Sequence, residues 1–183
     1  MTKRVVSFRL GDHEVDVLVS PLTTLQTVLR YQLGETSVKE GCRQGGCGSC
    51  TVLVDGEPTP SCLLPVEDVA GHRVETVATM TPGDGLDPVQ QAFIDHLGFQ
   101  CGYCTPGMVV IARALLAREP APTRERIAEA ISGNVCRCTG YEPILDAIEA
   151  AAASPGTAGA SAPAVRGSAG LAHEAAGAAE ATR

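Results

Sequence analysis

The sequence is poor in aromatic residues and has no excess of basic ones. Aromatic side chains make up 3% of its 183 residues and tryptophan is absent, so few rings are available to stack on nucleic-acid bases. Lysine and arginine number 14 against 21 acidic residues, the net charge is −7, and no basic stripe interrupts this balance. We therefore expect no nucleic-acid partner.

Signals for membranes, export and nucleotide binding are also missing. No apolar run reaches about 18 residues, so we expect no membrane span. The N-terminal stretch alternates apolar and charged residues and lacks the continuous apolar segment of a secretion signal. The patterns G-x-G-x-x-G and G-x-x-x-x-G-K-[ST] do not occur, which argues against flavin or nucleotide binding in those modes. These absences lead us to expect a cytoplasmic protein.

Cysteine, in contrast, is abundant, with eight residues in two groups of four. A cysteine-rich chain without an export signal favours metal or redox chemistry over a disulfide framework. The four histidines follow no ligand spacing, so we do not expect the mixed histidine and cysteine ligation of a Rieske centre.

The first group follows the spacing C-x4-C-x2-C, with one more cysteine downstream: Cys42, Cys47, Cys50 and Cys62. This is the plant-type ferredoxin spacing, in which four thiolates hold a 2Fe–2S cluster. Nearby glycines permit the close backbone approach and positive φ angles of such a loop: Gly41, Gly45, Gly46 and Gly48. Zinc sites usually take C-x2-C knuckles in pairs, and only one pair is present here. Alone, Cys62 would be interpreted as a buried core cysteine, but the triplet favours ligation.

The second group combines C-x2-C with a distant C-x-C: Cys101, Cys104, Cys136 and Cys138. This spacing alone leaves an iron–sulfur cluster and a structural zinc equally open. Each half precedes a predicted helix start, at Thr105-Pro106 and at Glu142-Pro143. Helix N-termini stabilise negative charge, which suits a thiolate site with either metal. Tyr103 and Tyr141 beside these cysteines are interpreted as packing residues.

Hydrophobic patterning predicts an α+β chain in two parts. Strands are predicted over residues 5–10, 15–19, 51–54 and 73–77. A helix is predicted within residues 20–34, with Thr23 or Thr24 near its start and Gly34 just past its end. Together these elements predict a small mixed sheet folded over one helix. Capping signals predict four further helices, beginning near Asp87, Thr105, Thr123 and Glu142.

These elements predict three regions. A β-rich domain covers residues 1–78, a helical domain covers residues 79–153, and a low-complexity tail covers residues 154–183. The tail consists mostly of alanine, glycine, serine and proline, and is expected to be disordered because it cannot bury enough apolar surface to offset its chain entropy. A helical docking segment over residues 171–181 is the alternative for part of it.

Three motifs, "GCRQGGCGSCTVLVDG" with Cys62, "QCGYCTPGM" and "GNVCRCTGY", resemble the iron–sulfur subunit of the molybdenum hydroxylases, the xanthine oxidase family. Their order and spacing extend the resemblance over residues 3–152. The resemblance implies a β-grasp ferredoxin-like domain and a four-helix domain with pseudo-twofold symmetry. It also implies that each cysteine group holds a 2Fe–2S cluster, which decides the second group in favour of iron and sulfur.

The resemblance further implies partners that carry the other cofactors. Gln100 and Cys138 would lie beside a molybdopterin held by a large subunit, and the first cluster would face an FAD-binding medium subunit. Electrons would leave molybdenum through the second cluster, then the first, and reach FAD, in a dimer of heterotrimers with no substrate chemistry on this chain. Two rivals are weighed against this hypothesis, a free-standing 2Fe–2S ferredoxin that shuttles between enzymes and a zinc-stabilised adaptor.

Overall fold

The computed structural model describes residues 2–81, 83 and 85–154, and its first half is built on a mixed five-stranded sheet. The strands are β1 (Arg4–Leu10), β2 (His13–Val19), β3 (Thr51–Val54), β4 (Glu57–Pro60) and β5 (Arg73–Glu75). They lie in the order β2-β1-β5-β3-β4. β1 runs antiparallel to β2 and parallel to β5, while β3 runs antiparallel to β4 and β5. The predicted mixed sheet is confirmed.

Proline and turn chemistry explain where the sheet departs from the prediction. β4 was not predicted, and it contains Pro58 and Pro60, which are tolerated because this strand lies at the edge of the sheet. β3 and β4 are joined by Asp55 and Gly56, with φ angles of +49° and +84°, as a two-residue hairpin requires. β5 ends at Glu75, two residues earlier than predicted.

A short helical segment packs on this sheet. Helix α1 (Leu25–Thr27) begins after Thr24, whose hydroxyl accepts a hydrogen bond of 3.3 Å from the Thr27 amide. It widens into a π-helical turn over Val28–Gln32, which the sequence did not predict. Leu25, together with Val28 and Leu29 of the next turn, is fully buried in the core beneath the sheet.

The second half contains helices α2 (Pro88–Asp95), α3 (Thr105–Arg118), α4 (Arg124–Ile131) and α5 (Glu142–Ala153). Asp87 caps α2 in a capping box with Gln90, and Thr123 caps α4, as predicted. The predicted cap of α3, Thr105, is instead the first helical residue, and Cys104 holds the capping position. None of the described helices is long and apolar enough to cross a membrane.

Each half has its own hydrophobic core, which we call the sheet core and the helical core. A small third cluster joins them, where Leu53 of β3 packs against Val110 and Ala114 of α3. The domain boundary between residues 78 and 79 stays a prediction. Of the predicted tail over residues 154–183, only Ser154 is described, and the alternative docking segment lies outside the described residues.

Candidate metal centres

The fold brings the eight cysteines, all free thiols, into the two predicted groups. Within each group the thiols contact each other in pairs. Cys42 contacts Cys47 and Cys62 contacts Cys50, while Cys104 contacts Cys136 and the sulfurs of Cys101 and Cys138 lie 3.5 Å apart. In a 2Fe–2S cluster held by four cysteines, each iron takes two thiolates. The pairwise arrangement of the thiols fits this cluster.

Every pair except Cys42 and Cys47 joins cysteines from different segments. Among the described residues, no group of three or more histidine, cysteine, aspartate or glutamate side chains converges on a single-ion site. The donors that the fold brings together are the thiols, which lie in two pairs in each half. Soft thiolate donors suit iron–sulfur clusters, and the residues present fit the group that the spacing predicts.

In the first set, backbone amides and burial act on different thiols. Hydrogen bonding from the Gln44 amide, with a nitrogen-to-sulfur distance of 3.4 Å, lowers the pKa of Cys42 to about 7. Burial, together with a hydrogen bond to the neighbouring Cys50 thiol, raises the pKa of Cys62 to about 11. Amides directed at sulfur stabilise anionic thiolates, and a coordinating metal deprotonates even the buried thiols. The loop thus presents donors suited to a negatively charged cluster.

The glycines around the first set serve different purposes. A side chain at Gly41 would place its Cβ 2.8 Å from the Cys47 sulfur, so this position requires close approach. Gly45 and Gly48 have the expected positive φ angles, of +78° and +68°. Gly46 has neither a positive φ nor a neighbour within 4 Å of an added Cβ, so its predicted role in the loop is not seen.

In the second set, helix starts and side chains position the thiols. Cys104 caps α3, and burial raises its pKa to about 12. The Cys136 amide donates a hydrogen bond of 2.9 Å to the Tyr141 hydroxyl, and the Cys136 sulfur lies 3.2 Å from the Thr139 hydroxyl. Tyr141 precedes α5 with a positive φ of +72°, a strained conformation for a tyrosine. Tyr141 therefore positions Cys136 through a hydrogen bond, in addition to packing against the helical core.

Exposure divides each set into an inner and an outer pair. Cys50 and Cys62 are buried in the sheet core, while Cys42 and Cys47 are partly exposed. Cys104 and Cys136 belong to the helical core, while Cys101 and Cys138 are exposed. Gln100, which the resemblance placed beside a partner's cofactor, is exposed next to Cys101. Each set thus has one face toward its own core and one face that a partner can reach.

The two cysteine loops touch each other directly. The Val135 amide donates a hydrogen bond of 3.0 Å to the Cys47 carbonyl, and the Asn134 side-chain amide donates one of 3.3 Å to the Gly48 carbonyl. A second tie runs from the Tyr103 hydroxyl to the Glu40 carbonyl, at 2.7 Å. The two candidate centres are consequently held in one fixed arrangement.

The sequence did not single out Asn134, Val135 or Glu40. Asn134 is 3% exposed although asparagine is usually a surface residue, so its burial is informative only once the structure is known. The one available signal was its position two residues before Cys136, inside a cysteine motif. Its partner, Gly48, is 86 residues away in the sequence, so local patterns could not identify the contact.

Comparisons with known proteins agree with this geometry. A family described as "2Fe-2S iron-sulfur cluster binding domain" matches residues 3–99, and one described as "[2Fe-2S] binding domain" matches residues 74–149. The nicotinate dehydrogenase small FeS subunit of Eubacterium barkeri is 41% identical over 152 residues, which cover 81% of this chain and 94% of that protein.

Two solved structures are similar over most of the chain. Quinoline 2-oxidoreductase from Pseudomonas putida 86 superposes with a TM-score of 0.80 at 43% identity, covering 82% of this chain and 94% of the matched one. The aldehyde oxidoreductase from Desulfovibrio desulfuricans superposes with a TM-score of 0.79 at 43% identity, covering 81% of this chain but 17% of that longer one. With these matches and the three cysteine motifs, the chain belongs to the iron–sulfur subunits of the molybdenum hydroxylase, or xanthine oxidase, family of oxidoreductases.

Proposed function

We propose that this chain is an electron-transfer subunit with two 2Fe–2S clusters. The ligands of the first cluster are Cys42, Cys47, Cys50 and Cys62, and those of the second are Cys101, Cys104, Cys136 and Cys138. The chain relays electrons from a molybdopterin centre in a large subunit to FAD in a medium subunit. Substrate chemistry takes place on the large subunit.

One observation carries this proposal: two complete sets of four free thiols lie on loops that contact each other. A single electron carrier needs only one such set. Two sets joined by hydrogen bonds provide two redox centres at a fixed separation, which is what a relay between two other cofactors requires. When bound, each 2Fe–2S cluster accepts and passes on one electron at a time.

The residues of this chain hold and tune these centres. The thiolates supply the ligands, and the amides near Cys42 stabilise negative charge on sulfur. The sheet core and the helical core exclude water from the inner thiols, Cys50 and Cys62 in one set and Cys104 and Cys136 in the other. Burial and hydrogen bonds to sulfur are the main means by which a protein sets a cluster potential.

The exposed thiol pairs indicate where partners approach. We place Gln100 and Cys138 beside the molybdopterin of the large subunit, because both residues are exposed. The FAD subunit then faces the first set, at the partly exposed Cys42 and Cys47. In the aldehyde oxidoreductase the matched region is one part of a much longer chain, which supports assembly of this subunit with further domains. We propose a cytoplasmic dimer of heterotrimers.

Cys138→Ser in the assembled complex tests the order of carriers. Serine replaces a soft thiolate by a harder and more basic oxygen ligand, so the second cluster fails to assemble or has a lower potential. We expect flavin reduction after substrate addition, followed by stopped-flow absorbance, to slow steeply while substrate binding is unchanged. Arg137→Ala, at the exposed neighbouring position, serves as the control and should reduce flavin at the wild-type rate.

Flavin reduction at the wild-type rate in the Cys138→Ser complex would remove the second cluster from the path. Purification of the native chain alone, with both clusters but without molybdenum or flavin subunits, would favour the free-standing ferredoxin instead. Zinc in place of iron and acid-labile sulfide would favour the adaptor.

A further inference from the structure

Arg43, the residue that follows Cys42, has a left-handed backbone conformation, with a φ of +56°. This conformation is unfavourable for a residue with a Cβ, so its surroundings must hold it in place. The backbone torsions of Arg43 orient the peptide group that carries the Gln44 amide, and the nitrogen of that amide lies 3.4 Å from the Cys42 sulfur. The strained residue therefore directs a hydrogen-bond donor at a proposed ligand of the first cluster.

The side chain of Glu40 holds Arg43 from the other side of Cys42. Its carboxylate accepts two hydrogen bonds from the Arg43 guanidinium, the one from Nε at 2.6 Å, and a further one of 2.9 Å from the Tyr31 hydroxyl. The Glu40 side chain is 18% exposed, whereas that of Arg43 is 70% exposed. Because solvent screens an ion pair less when one partner is largely buried, this pair is stronger than an ordinary surface pair.

The backbone that carries Glu40 is itself fixed by side chains from two other segments. Gln26, which is 3% exposed, donates a hydrogen bond of 2.8 Å to the Lys39 carbonyl. Tyr103, from the helical half, donates one of 2.7 Å to the Glu40 carbonyl. The carboxylate of Glu40 is thus a fixed anchor, and Arg43 is the partner that would move if the ion pair were lost.

We propose that Glu40 is a positioning residue that sets the reduction potential of the first cluster, by holding Arg43 so that the Gln44 amide donates to Cys42. The inference rests on the proposed function, since it needs a cluster on the first set. A reduced cluster carries one more negative charge than an oxidised one. An amide that donates to a ligand sulfur stabilises this added charge, so it raises the potential and makes the first cluster a better electron acceptor.

The charges of the pair also act on the potential, and the experiment must separate this effect from positioning. Two pairs of variants are matched in charge. Glu40→Gln and Glu40→Ala both remove the carboxylate charge, but only glutamine keeps an oxygen that can accept from Arg43 and Tyr31. Arg43→Gly and Arg43→Ala both remove the guanidinium, but only glycine adopts a positive φ without strain. Within each pair, therefore, only the hold on the loop differs.

The experiment is a redox titration of the assembled, cluster-loaded complex, followed by electron paramagnetic resonance. The potential of the second cluster serves as the internal reference, because its ligands are unchanged in every variant. After exchange into deuterated water, electron–nuclear double resonance of the reduced first cluster measures the coupling of the exchangeable amide deuterons. That coupling reports the hydrogen bond from Gln44 to sulfur directly.

We expect both clusters in all four variants, because every ligand is kept and the amides of Gly46 and Cys47 also donate to the Cys42 sulfur. Glu40→Ala should have a lower first-cluster potential than Glu40→Gln, and Arg43→Ala a lower one than Arg43→Gly. At the midpoint potential of the matched variant, less than half of the first cluster should be reduced. The deuteron coupling should be weaker in both alanine variants, while the second cluster keeps its wild-type potential. If Glu40→Ala does not assemble, Glu40→Ser takes its place.

Equal first-cluster potentials within either pair would overturn the inference. Equality in the Glu40 pair would show that the carboxylate acts through its charge alone, and equality in the Arg43 pair would show that the left-handed conformation has no effect. Equal shifts of both clusters would also overturn it, since they would indicate a general loosening of the chain. Absence of a first-cluster signal in the wild-type complex would instead contradict the proposed function itself.

Discussion

The two halves of the molecule hold their thiols by different means. In the sheet half, three of four cysteines lie in a glycine-rich loop whose own amides are directed at sulfur. In the helical half, the cysteines lie in two short segments near the starts of α3 and α5, separated in sequence by α3 and α4. The first site is therefore defined mostly by local backbone conformation, and the second by the packing of helices that are distant in sequence.

This difference indicates which kinds of substitution should disturb each set of thiols. A change in one loop residue acts on the first set directly, whereas the second set responds to anything that shifts one helix against another. Cys104 and Cys136 belong to the helical core itself, so thiol geometry and helix packing cannot change independently there. The following predictions test this contrast, beginning with the largest effect.

Cys62→Ser should remove the first cluster and leave the second cluster in place. Cys62 is the first-set cysteine outside the glycine-rich loop, and its loss leaves one iron with a single thiolate. We expect iron and acid-labile sulfide to fall by about half, with the second cluster's electron paramagnetic resonance signal unchanged, since the ligand sets do not overlap. Full iron content in this variant would show that Cys62 is a core cysteine and not a ligand.

Asp87→Ala should weaken the helical half without touching a thiol. Asp87 is 5% exposed, caps α2 through the Val89 amide at 2.9 Å, and pairs with Arg113 of α3 at 2.9 Å. Loss of the cap together with an unpaired, largely buried arginine should cost about 3 kcal/mol in the free energy of unfolding. Urea unfolding followed by helical circular dichroism measures this.

Asp87→Asn is the matched control, because it keeps the capping oxygen and removes only the charge. It should lose less stability than Asp87→Ala. If both variants unfolded like the wild type, neither the cap nor the ion pair would stabilise the helical half.

Gly41→Ala should strain the first loop, since its Cβ would lie 2.8 Å from the Cys47 sulfur. Moving this thiol should destabilise the loaded sheet half by roughly 1–3 kcal/mol, in the range of overpacked sites. The rate of iron loss to a chelator, followed by the visible absorbance of the clusters, measures the effect. Gly46→Ala is the control, because an added Cβ there meets nothing within 4 Å, and faster iron loss from this variant too would point to a general loop effect.

Asp55→Asn should produce the smallest change, also confined to the sheet half. Burial raises the pKa of Asp55, but a 2.6 Å hydrogen bond with His72 and one from the Arg73 amide lower it more, so the net pKa is below its usual value. The ionised carboxylate therefore stabilises the fold above the unfolded-state pKa of about 4, and this contribution disappears as the pH falls through the folded-state value.

Because both side chains of this pair are half exposed, we expect a loss below about 1 kcal/mol near neutral pH. The difference between Asp55→Asn and the wild type in urea unfolding should vanish at low pH. A difference that stays constant down to low pH would assign the effect to the amide itself.

Local signals in the sequence were enough to predict most of this architecture. Thr24, Asp87 and Thr123 each cap the helix that they were expected to begin, because capping depends on residues within one turn. The spacing of the cysteines predicted the two groups of thiols that the fold brings together, and the resemblance assigned a 2Fe–2S cluster to each. β4 was missed because its prolines are acceptable only at the sheet's edge, and an edge is a property of the assembled sheet.

The contacts that determine the arrangement of the two sites could not be predicted. The hydrogen bond between Asn134 and Gly48 joins residues 86 apart, and its existence depends on how the helical half docks on the sheet half. The positive φ of Tyr141 is likewise imposed by its surroundings, since tyrosine does not favour that conformation by itself. Sequence spacing thus predicted which cysteines lie together, whereas only the tertiary structure shows how the two loops contact each other.

The parallel pairing of β1 with β5 has a consequence for the order in which the chain folds. It joins Arg9 to Arg73 and Leu10 to Val74, so it encloses the whole segment that contains the first four cysteines. Pairings of such long sequence separation form late, because the loop they close must lose its entropy first. During synthesis, all four thiols of the first set therefore leave the ribosome before the strand that completes their sheet.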